Sequence, residues 1–164
     1  MTPTPAKVTI TPAQFYFAAR VGLDRSVQNI RKSARPRYGA DPYTGRYDHS
    51  IQGALAEFIV AKYTGRFWDG SLGAYHAADV GRLQVRSSPR DDASLCLHPA
   101  DADEEAFVLV TGAAYTWTIH GWTYARDGKR PDYWGDPTGR NRPAFWVPQH
   151  DLRPLADLPA PQGA

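Results

Sequence analysis

The residues best placed to do chemistry lie in one short segment that reads Ala-Asp-Val-Gly-Arg-Leu-Gln-Val-Arg-Ser-Ser. Asp79 comes just before a predicted strand, and Gln84 and Arg86 are two residues apart on that strand. Because side chains alternate across a strand, Gln84 and Arg86 share one face, whereas Leu83 and Val85 point into the core. The segment therefore predicts that an acid, an amide oxygen and a cation converge at one end of a strand.

A carboxylate on the preceding helix is expected to pack near this group. The second helix is predicted over Ile51 to Tyr63, because large apolar residues recur there at helical spacing, and Asp48 or Ser50 is available to cap it. Glu57 lies on a separate face of this helix among small residues. Small residues allow close approach to a neighbouring sheet, so Glu57 is expected to be held against that sheet.

The first helix is predicted from its start signal and from the proline that follows it. Thr11 can cap the helix, Pro12 suits the first helical position, and Gln14 completes a capping box. The helix is expected to run to about Arg35, because Pro36 disfavours helical geometry at the residue before it.

Beyond the second helix, which Gly65 is expected to end, the pattern changes to short strands. Strands are predicted over residues 83–88, 94–98, 106–111, 115–125 and 144–148, and loops over residues 36–48 and 127–143. The strand at 106–111 is continuously apolar, which is typical of burial on both faces, and the strand at 144–148 looks like a short edge strand. This order predicts one α/β (α+β) domain over residues 11–155, with N-terminal helices on a central mixed sheet, a flexible arm at 1–10 and a flexible tail at 156–164.

The order Glu57, Asp79, Gln84, Arg86 resembles the motif of the PD-(D/E)XK nuclease superfamily, in which a helix glutamate is followed by an aspartate and then by E-x-K or Q-x-K on a strand. The surrounding segments Gly53-Ala-Leu-Ala-Glu-Phe, Val108-Leu-Val-Thr-Gly, His120-Gly-Trp and Trp146-Val-Pro-Gln are similar to a group of short phage and prophage proteins assigned to that superfamily. The resemblance covers about residues 10 to 155 and implies a restriction-endonuclease-like fold.

The resemblance also implies metal-dependent hydrolysis of DNA phosphodiesters. That chemistry uses a hard divalent cation, Mg²⁺ or Mn²⁺, which is held by oxygen ligands, polarises the phosphate and lowers the pKa of the attacking water. Asp79 is implied as the principal metal ligand, Glu57 as a supporting ligand and Gln84 as a neutral carbonyl ligand. Arg86 stands where the superfamily usually has lysine.

Two departures from the superfamily motif keep alternatives open. Gln84 brings no negative charge, so metal affinity is expected to be lower, and Arg86 clamps phosphate well but effectively cannot lose its proton. One alternative is a catalytically inactive phage accessory protein that binds nucleic acid or a host protein. Another is purely structural: Asp79 caps a turn, and Arg86 pairs with an acid on the sheet.

Basic residues are concentrated in and after the first helix, where residues 20–46 contain seven basic and two acidic side chains. Cations hold phosphates, and tyrosines among arginines stack on bases. The predicted nucleic-acid contacts are Arg31, Lys32, Arg35, Arg37, Tyr43 and Arg46. The alternative is a solvated helix face followed by ordinary loop tyrosines.

Composition narrows the classes of protein that remain. The chain has 164 residues and one cysteine, which excludes a disulfide framework and a four-cysteine zinc site, and its net charge of +2 is too balanced to indicate nucleic acid by itself. There is no apolar run near the ~18 residues of a membrane helix and no apolar signal-peptide region, so a cytoplasmic protein without a membrane partner is expected. DNA is the expected partner, and a homodimer is left open.

Overall fold

A computed structural model describes residues 3–32, 45–70 and 79–161. Two N-terminal helices precede a mixed four-stranded sheet and a second, three-stranded sheet. The predicted class, a single α+β domain with N-terminal helices on a mixed sheet, is therefore confirmed. Within the described ranges, no helix combines the length and the apolar character needed to cross a membrane.

The elements follow the chain in the order listed here. The helices are α1 (Pro12–Arg31), α2 (Gly45–Thr64) and the single turn α3 (Ala125–Gly128); the strands are β1 (Ala6–Thr9), β2 (Leu83–Ser88), β3 (Leu95–Leu97), β4 (Ala106–Ala113), β5 (Thr116–Tyr124), β6 (Trp134–Gly135) and β7 (Ala144–Val147). Short 3₁₀ turns lie at Pro131–Tyr133, Gln149–Asp151 and Leu155–Asp157.

The predicted start of α1 is confirmed by its capping box. The Thr11 hydroxyl accepts the Gln14 amide at 3.2 Å, and the Gln14 side chain accepts the Thr11 amide at 3.0 Å. The helix is described as far as Arg31, with Lys32 at its cap, and the predicted end at Arg35 lies outside the described residues.

The predicted start of α2 is wrong, because the helix begins at Gly45 and not at Ile51. Asp48 and Ser50 therefore lie inside the helix and do not cap it, and residues 45–48 belong to the helix and not to the predicted loop. No proline interrupts this stretch, and an acid in the first turn suits the positive end of a helix. The predicted end of α2 is confirmed, since Gly65 has φ 68°, the left-handed conformation that glycine adopts easily.

The four-stranded sheet has the order β1-β5-β4-β2, and the three-stranded sheet has the order β3-β7-β6. In the first sheet, β2 and β4 are parallel, whereas β1 with β5 and β4 with β5 are antiparallel. Strand β2 therefore lies at an edge of the described sheet, and this edge carries the predicted site.

The four-stranded sheet separates two apolar clusters. Its helix-facing side packs on α2 through residues that include Leu83, Val108 and Val110, against Ile59 and Val60. Its other side packs on the second sheet, with Phe107 and Leu109 against Leu95, Leu97 and Val147. Strand β4 contributes to both clusters, so the prediction that it is buried on both faces is confirmed.

Three predictions at the margins of the fold are wrong. The arm predicted over residues 1–10 contains β1, which pairs with β5 and buries Val8. Strand β7 is central in its sheet and not at an edge, because the predicted loop at 127–143 contains the two-residue strand β6, which is too short to show a period. The tail predicted to be flexible is anchored as far as Leu158, which packs against the helix-facing cluster beside buried Leu155.

The crossing of α1 and α2 depends on Gly22. A Cβ at this position would lie 2.5 Å from both the Ile51 Cα and the Ser50 carbonyl oxygen, whereas a Cβ at Gly53 would meet no described atom within 4 Å. We expect Gly22→Ala to lower the free energy of unfolding by about 1–3 kcal/mol through overpacking. Urea denaturation measures this change.

The matched control is Gly53→Ala, in the middle of α2. It adds the same methyl group without a clash and removes the helix penalty of glycine, so stability should rise by up to about 1 kcal/mol. If Gly22→Ala also raised stability, α1 and α2 would not approach each other as closely as the structure indicates.

Candidate functional site

Glu57 is a nearly buried carboxylate held by three hydrogen bonds. It is 6% exposed, and the Arg25 guanidinium binds it in a fork, with Nη1 to Oε1 at 2.7 Å and Nη2 to Oε2 at 2.9 Å. The Trp68 indole nitrogen donates to Oε2 at 2.8 Å. These donors come from α1 and from the segment after α2. The hydrogen bonds therefore hold the carboxylate in one orientation.

Aromatic packing fixes the Trp68 donor. Its ring centroid lies 5.6 Å from that of Phe58 and 5.9 Å from that of Phe17, with edge-to-face geometry in both pairs. Such contacts favour one orientation of the indole, and a partly buried indole nitrogen usually needs an acceptor. Glu57 is that acceptor.

Asp79 lies at the edge of β2, in the turn that leads into the strand. Its Oδ2 accepts the Val85 amide at 2.7 Å, and the turn is closed by a bridge between Val80 and Leu83, with Gly81 at φ 58°. Asp79 forms no ion pair with any residue that the structure describes. It is a partly buried acid without a cation of its own.

The environment of Asp79 makes its ionised form unfavourable. Burial, followed by the negative charge of Glu57, raises the pKa of Asp79 to about 6, against the opposing effects of the Val85 amide, Arg86 and Arg25. Glu57 is therefore near enough to Asp79 for like charges to interact. A raised carboxylate pKa at an edge position is typical of functional acids.

Arg86 is anchored by residues around β3 and β4. Its Nη2 lies 3.0 Å and 3.1 Å from the two carboxylate oxygens of Asp101, and its Nε lies 3.3 Å from the Cys96 carbonyl oxygen. The guanidinium carbon lies 4.7 Å from the centre of the Phe107 ring. The structural alternative for Arg86, pairing with an acid, is therefore what the structure shows, although the acid lies in the β3–β4 connection.

Gln84 also has a partner within the protein. Its amide nitrogen donates to Glu105 Oε1 at 3.2 Å. Leu83 and Val85 pack in the helix-facing cluster, so Gln84 and Arg86 lie on the opposite face, as the alternation predicts.

The charge of Asp79 interacts with charges on both sides of β2. Its charge interacts with Glu57 and Arg25, and also with Arg86, which lies on the face of β2 away from α2. Glu57, Asp79 and Arg86 therefore form one electrostatic group around the β2 edge. Gln84 lies beside this group but is turned toward Glu105.

The donor set suits a cation of the magnesium type. In the described part of the chain, no three or more His, Cys, Asp or Glu side chains are grouped to hold a metal ion. Mg²⁺, however, usually keeps several waters and is bound by one or two carboxylates together with substrate phosphates. Asp79 and Glu57 are near enough for their charges to interact, and both Glu57 oxygens already accept hydrogen bonds from Arg25 and Trp68. Asp79 would therefore be the principal ligand of such an ion, and Glu57 at most a supporting one.

The predicted nucleic-acid contacts are only partly described. Arg31 and Lys32 are exposed at the end of α1. Arg35, Arg37 and Tyr43 lie outside the described residues, as does the side chain of Arg46. This surface stays a prediction.

Sequence analysis did not single out Arg25, Trp68 or Arg82 as site residues. Arg25 follows Gly22 and precedes the buried Ser26, so α1, like α2, carries small residues beside a charged one, and this pattern could have indicated the ion pair. Arg82 lies in the turn between Asp79 and β2, is exposed, and forms no ion pair with a described residue.

The sequence matches no known protein-family model, and no curated protein matches it.

Replacing Asp79 with asparagine should stabilise the protein at neutral pH. Asparagine keeps an oxygen for the Val85 amide and removes a charge that burial and Glu57 disfavour. Because the pKa is raised from 3.8 to about 6 in the folded state, wild-type stability falls as pH rises through this window. We expect Asp79→Asn to be more stable than wild type by about 1–3 kcal/mol at about pH 8, and the difference to be largely lost at about pH 4.

Asp92→Asn is the control for this measurement. The Arg90 side chain lowers the pKa of exposed Asp92. Asp92→Asn should therefore lower stability at neutral pH, whereas Asp79→Asn should raise it. Thermal unfolding at both pH values decides the outcome. An Asp79→Asn variant less stable than wild type at about pH 8 would mean that Asp79 is a structural turn cap.

Arg86→Lys should destabilise the protein, even though lysine is the usual superfamily residue. Lysine cannot contact Asp101 and the Cys96 carbonyl oxygen from two separate nitrogens or reproduce the stacking on Phe107, so we expect a loss of about 1–3 kcal/mol. Arg90→Lys, at an exposed ion pair, should change stability much less than Arg86→Lys. Equal effects in urea denaturation would show that Arg86 is not anchored as the structure indicates.

Proposed function

We propose that this chain is a metal-dependent nuclease that acts on DNA phosphodiesters, with its centre at the edge of β2. The observation that carries the proposal is Asp79, a partly buried acid beside Glu57 that forms no ion pair with a described residue and has its pKa raised to about 6. Such an acid is costly unless a cation or a reaction uses it. Mg²⁺ or Mn²⁺ is the cofactor that suits two adjacent carboxylates.

Each described residue has a distinct task in this proposal. Asp79 and Glu57 would hold the ion, which when bound polarises the phosphate and lowers the pKa of a water. Arg25 and Trp68 fix the orientation of Glu57 through their hydrogen bonds. Arg82, exposed in the turn beside Asp79, is placed to contact a phosphate oxygen.

In this proposal Arg86 positions neighbouring parts of the fold and does not take the role that lysine usually has in the superfamily. Its hydrogen bonds to Asp101 and to the Cys96 carbonyl tie β2 to the β3 region, and its charge offsets part of the cost of ionising Asp79. A guanidinium effectively cannot lose its proton, so Arg86 cannot accept the proton of the attacking water. Another side chain or an oxygen of the phosphate must accept it.

Calorimetric titration with Mn²⁺ and nicking of supercoiled plasmid test the proposal together. We expect one Mn²⁺ site and slow, Mn²⁺-dependent nicking in wild type, with both lost in Asp79→Asn. Because the ligand must be ionised, Mn²⁺ affinity should rise as pH increases through about 6. Asp92→Asn, which removes an exposed acid paired with Arg90, should keep both activities.

Equal nicking by wild type and Asp79→Asn would point to a contaminating nuclease and would contradict the assignment. Binding of Mn²⁺ to both proteins with the same affinity would place the metal elsewhere and would remove Asp79 from the site.

A second candidate function is a catalytically inactive protein that binds nucleic acid. The observation that favours it is the engagement of Arg86 by Asp101 and of Glu57 by Arg25, which leaves Asp79 as the sole predicted carboxylate without a described cation. In that case DNA binding persists without Mn²⁺, Asp79→Asn has no effect on it, and nicking stays at background.

A further inference from the structure

The hairpin formed by β6 and β7 carries an exposed group of two arginines and one tryptophan, which we call the hairpin surface: Trp134, Arg140 and Arg142. The arginines lie in the connection between the strands, and Trp134 opens β6. None of the three belongs to the group around Asp79, and sequence analysis treated the whole connection as a loop.

The connection is ordered by one carboxylate. Asp136 Oδ1 accepts the Thr138 hydroxyl at 3.0 Å, Oδ2 accepts the Arg142 amide at 3.2 Å, and the Asp136 carbonyl accepts the Gly139 amide at 3.1 Å. Asn141 has φ 54°, a left-handed conformation that asparagine tolerates. The backbone that carries both arginines is thus preorganised around Asp136.

The two arginines differ in their pairing from several other exposed arginines that the structure describes. Arg90, Arg126 and Arg153 each contact a carboxylate, at Asp92, Glu104 and Asp127 respectively. Arg140 and Arg142 are exposed, and neither forms an ion pair with a residue that the structure describes. Their positive charge is therefore not neutralised within this part of the chain, and it suits an anionic ligand.

Trp134 adds an exposed aromatic ring two residues before Asp136, whose carboxylate binds the Arg142 amide. It is 46% exposed, and its ring centroid lies 4.7 Å from that of Phe145, which supports it from beneath. The Trp146 indole nitrogen donates to the Gly135 carbonyl at 3.0 Å and holds the hairpin at that point. A half-exposed indole on the same short hairpin as two arginines that form no ion pair with a described residue is typical of surfaces that bind unpaired bases.

We propose that the hairpin surface binds an unpaired nucleic-acid strand, with Arg140 and Arg142 on its phosphates and Trp134 stacked on a base. The choice of nucleic acid as the ligand rests on the proposed function. The proposal adds the type of strand and the surface that binds it. It requires neither the metal nor cleavage. Its failure can therefore be distinguished from the failure of the proposed function.

Fluorescence anisotropy with a labelled oligothymidine strand, in EDTA and at low salt, tests the proposal. We expect the double variant Arg140→Gln with Arg142→Gln to bind about tenfold or more weakly, because two charge-assisted contacts are lost. The salt dependence of binding should fall by about 0.7 in log–log slope for each phosphate contact removed from a single strand. Trp134→Ala should weaken binding about fivefold or more through lost stacking.

The matched control is Arg90→Gln with Arg126→Gln, which removes the same charge from two exposed arginines that are already paired with acids. It should lower affinity much less than the hairpin double variant. Equal losses in the two double variants would show diffuse attraction to positive charge and would overturn the proposal.

Asp136→Ala gives a test in which charge and preorganisation predict opposite results. Removal of a negative charge should tighten DNA binding if only net charge matters, whereas loss of the ordered connection should weaken it. We expect weaker binding, with partial rescue in Asp136→Asn. Tighter binding of the strand by Asp136→Ala would contradict the proposal. A wild-type protein that does not bind the strand would also contradict it, and the hairpin surface would then be a candidate for binding a protein. Equal affinity of the Trp134→Ala variant and wild type for the strand would exclude stacking.

Discussion

The charge of Glu57 is the constraint on which the arrangement of the N-terminal half depends. A carboxylate with 8% of its side chain exposed is strongly unfavourable unless a cation and hydrogen-bond donors compensate it. Arg25 supplies the cation from α1, which requires α1 to lie close to α2. Gly22 provides that closeness, since no Cβ fits where it meets the backbone of Ile51.

The same requirement shapes the chain after α2. Gly65 ends the helix in a left-handed conformation, and the segment beyond it brings Trp68 back to donate to Glu57. The aromatic contacts of Trp68 with Phe58 and Phe17 then cover the ion pair. One buried acid thus links the helix crossing, the helix end and the aromatic packing above it.

The elements that were predictable from sequence are those whose signals are local. The capping box at Thr11, the left-handed glycine at residue 65 and the continuous apolar run of β4 each act within a few residues, and the structure confirms all three. The early start of α2 and the strand β6 were missed, because a first helical turn and a two-residue strand show no period.

The site was harder to predict, because its decisive features are partnerships between distant segments. Spacing alone placed Gln84 and Arg86 on one face of β2, and this is confirmed. The pairing of Arg86 with Asp101 and of Glu57 with Arg25 depends on the tertiary fold, across 15 and 32 positions of the chain. Only the structure shows which acids are left without a cation.

The presence or absence of a described partner of opposite charge distinguishes Arg86 and Glu57 from Asp79. Arg86 and Glu57 each have a partner of opposite charge, and these ion pairs hold separate elements of the fold together. Asp79 has one backbone hydrogen bond, a like charge nearby and a pKa raised to about 6, so at neutral pH it weakens the fold that contains it. Selection for stability alone would favour asparagine or serine as the turn cap. The charge of Asp79 is therefore the one charge among these three residues that its described contacts do not explain.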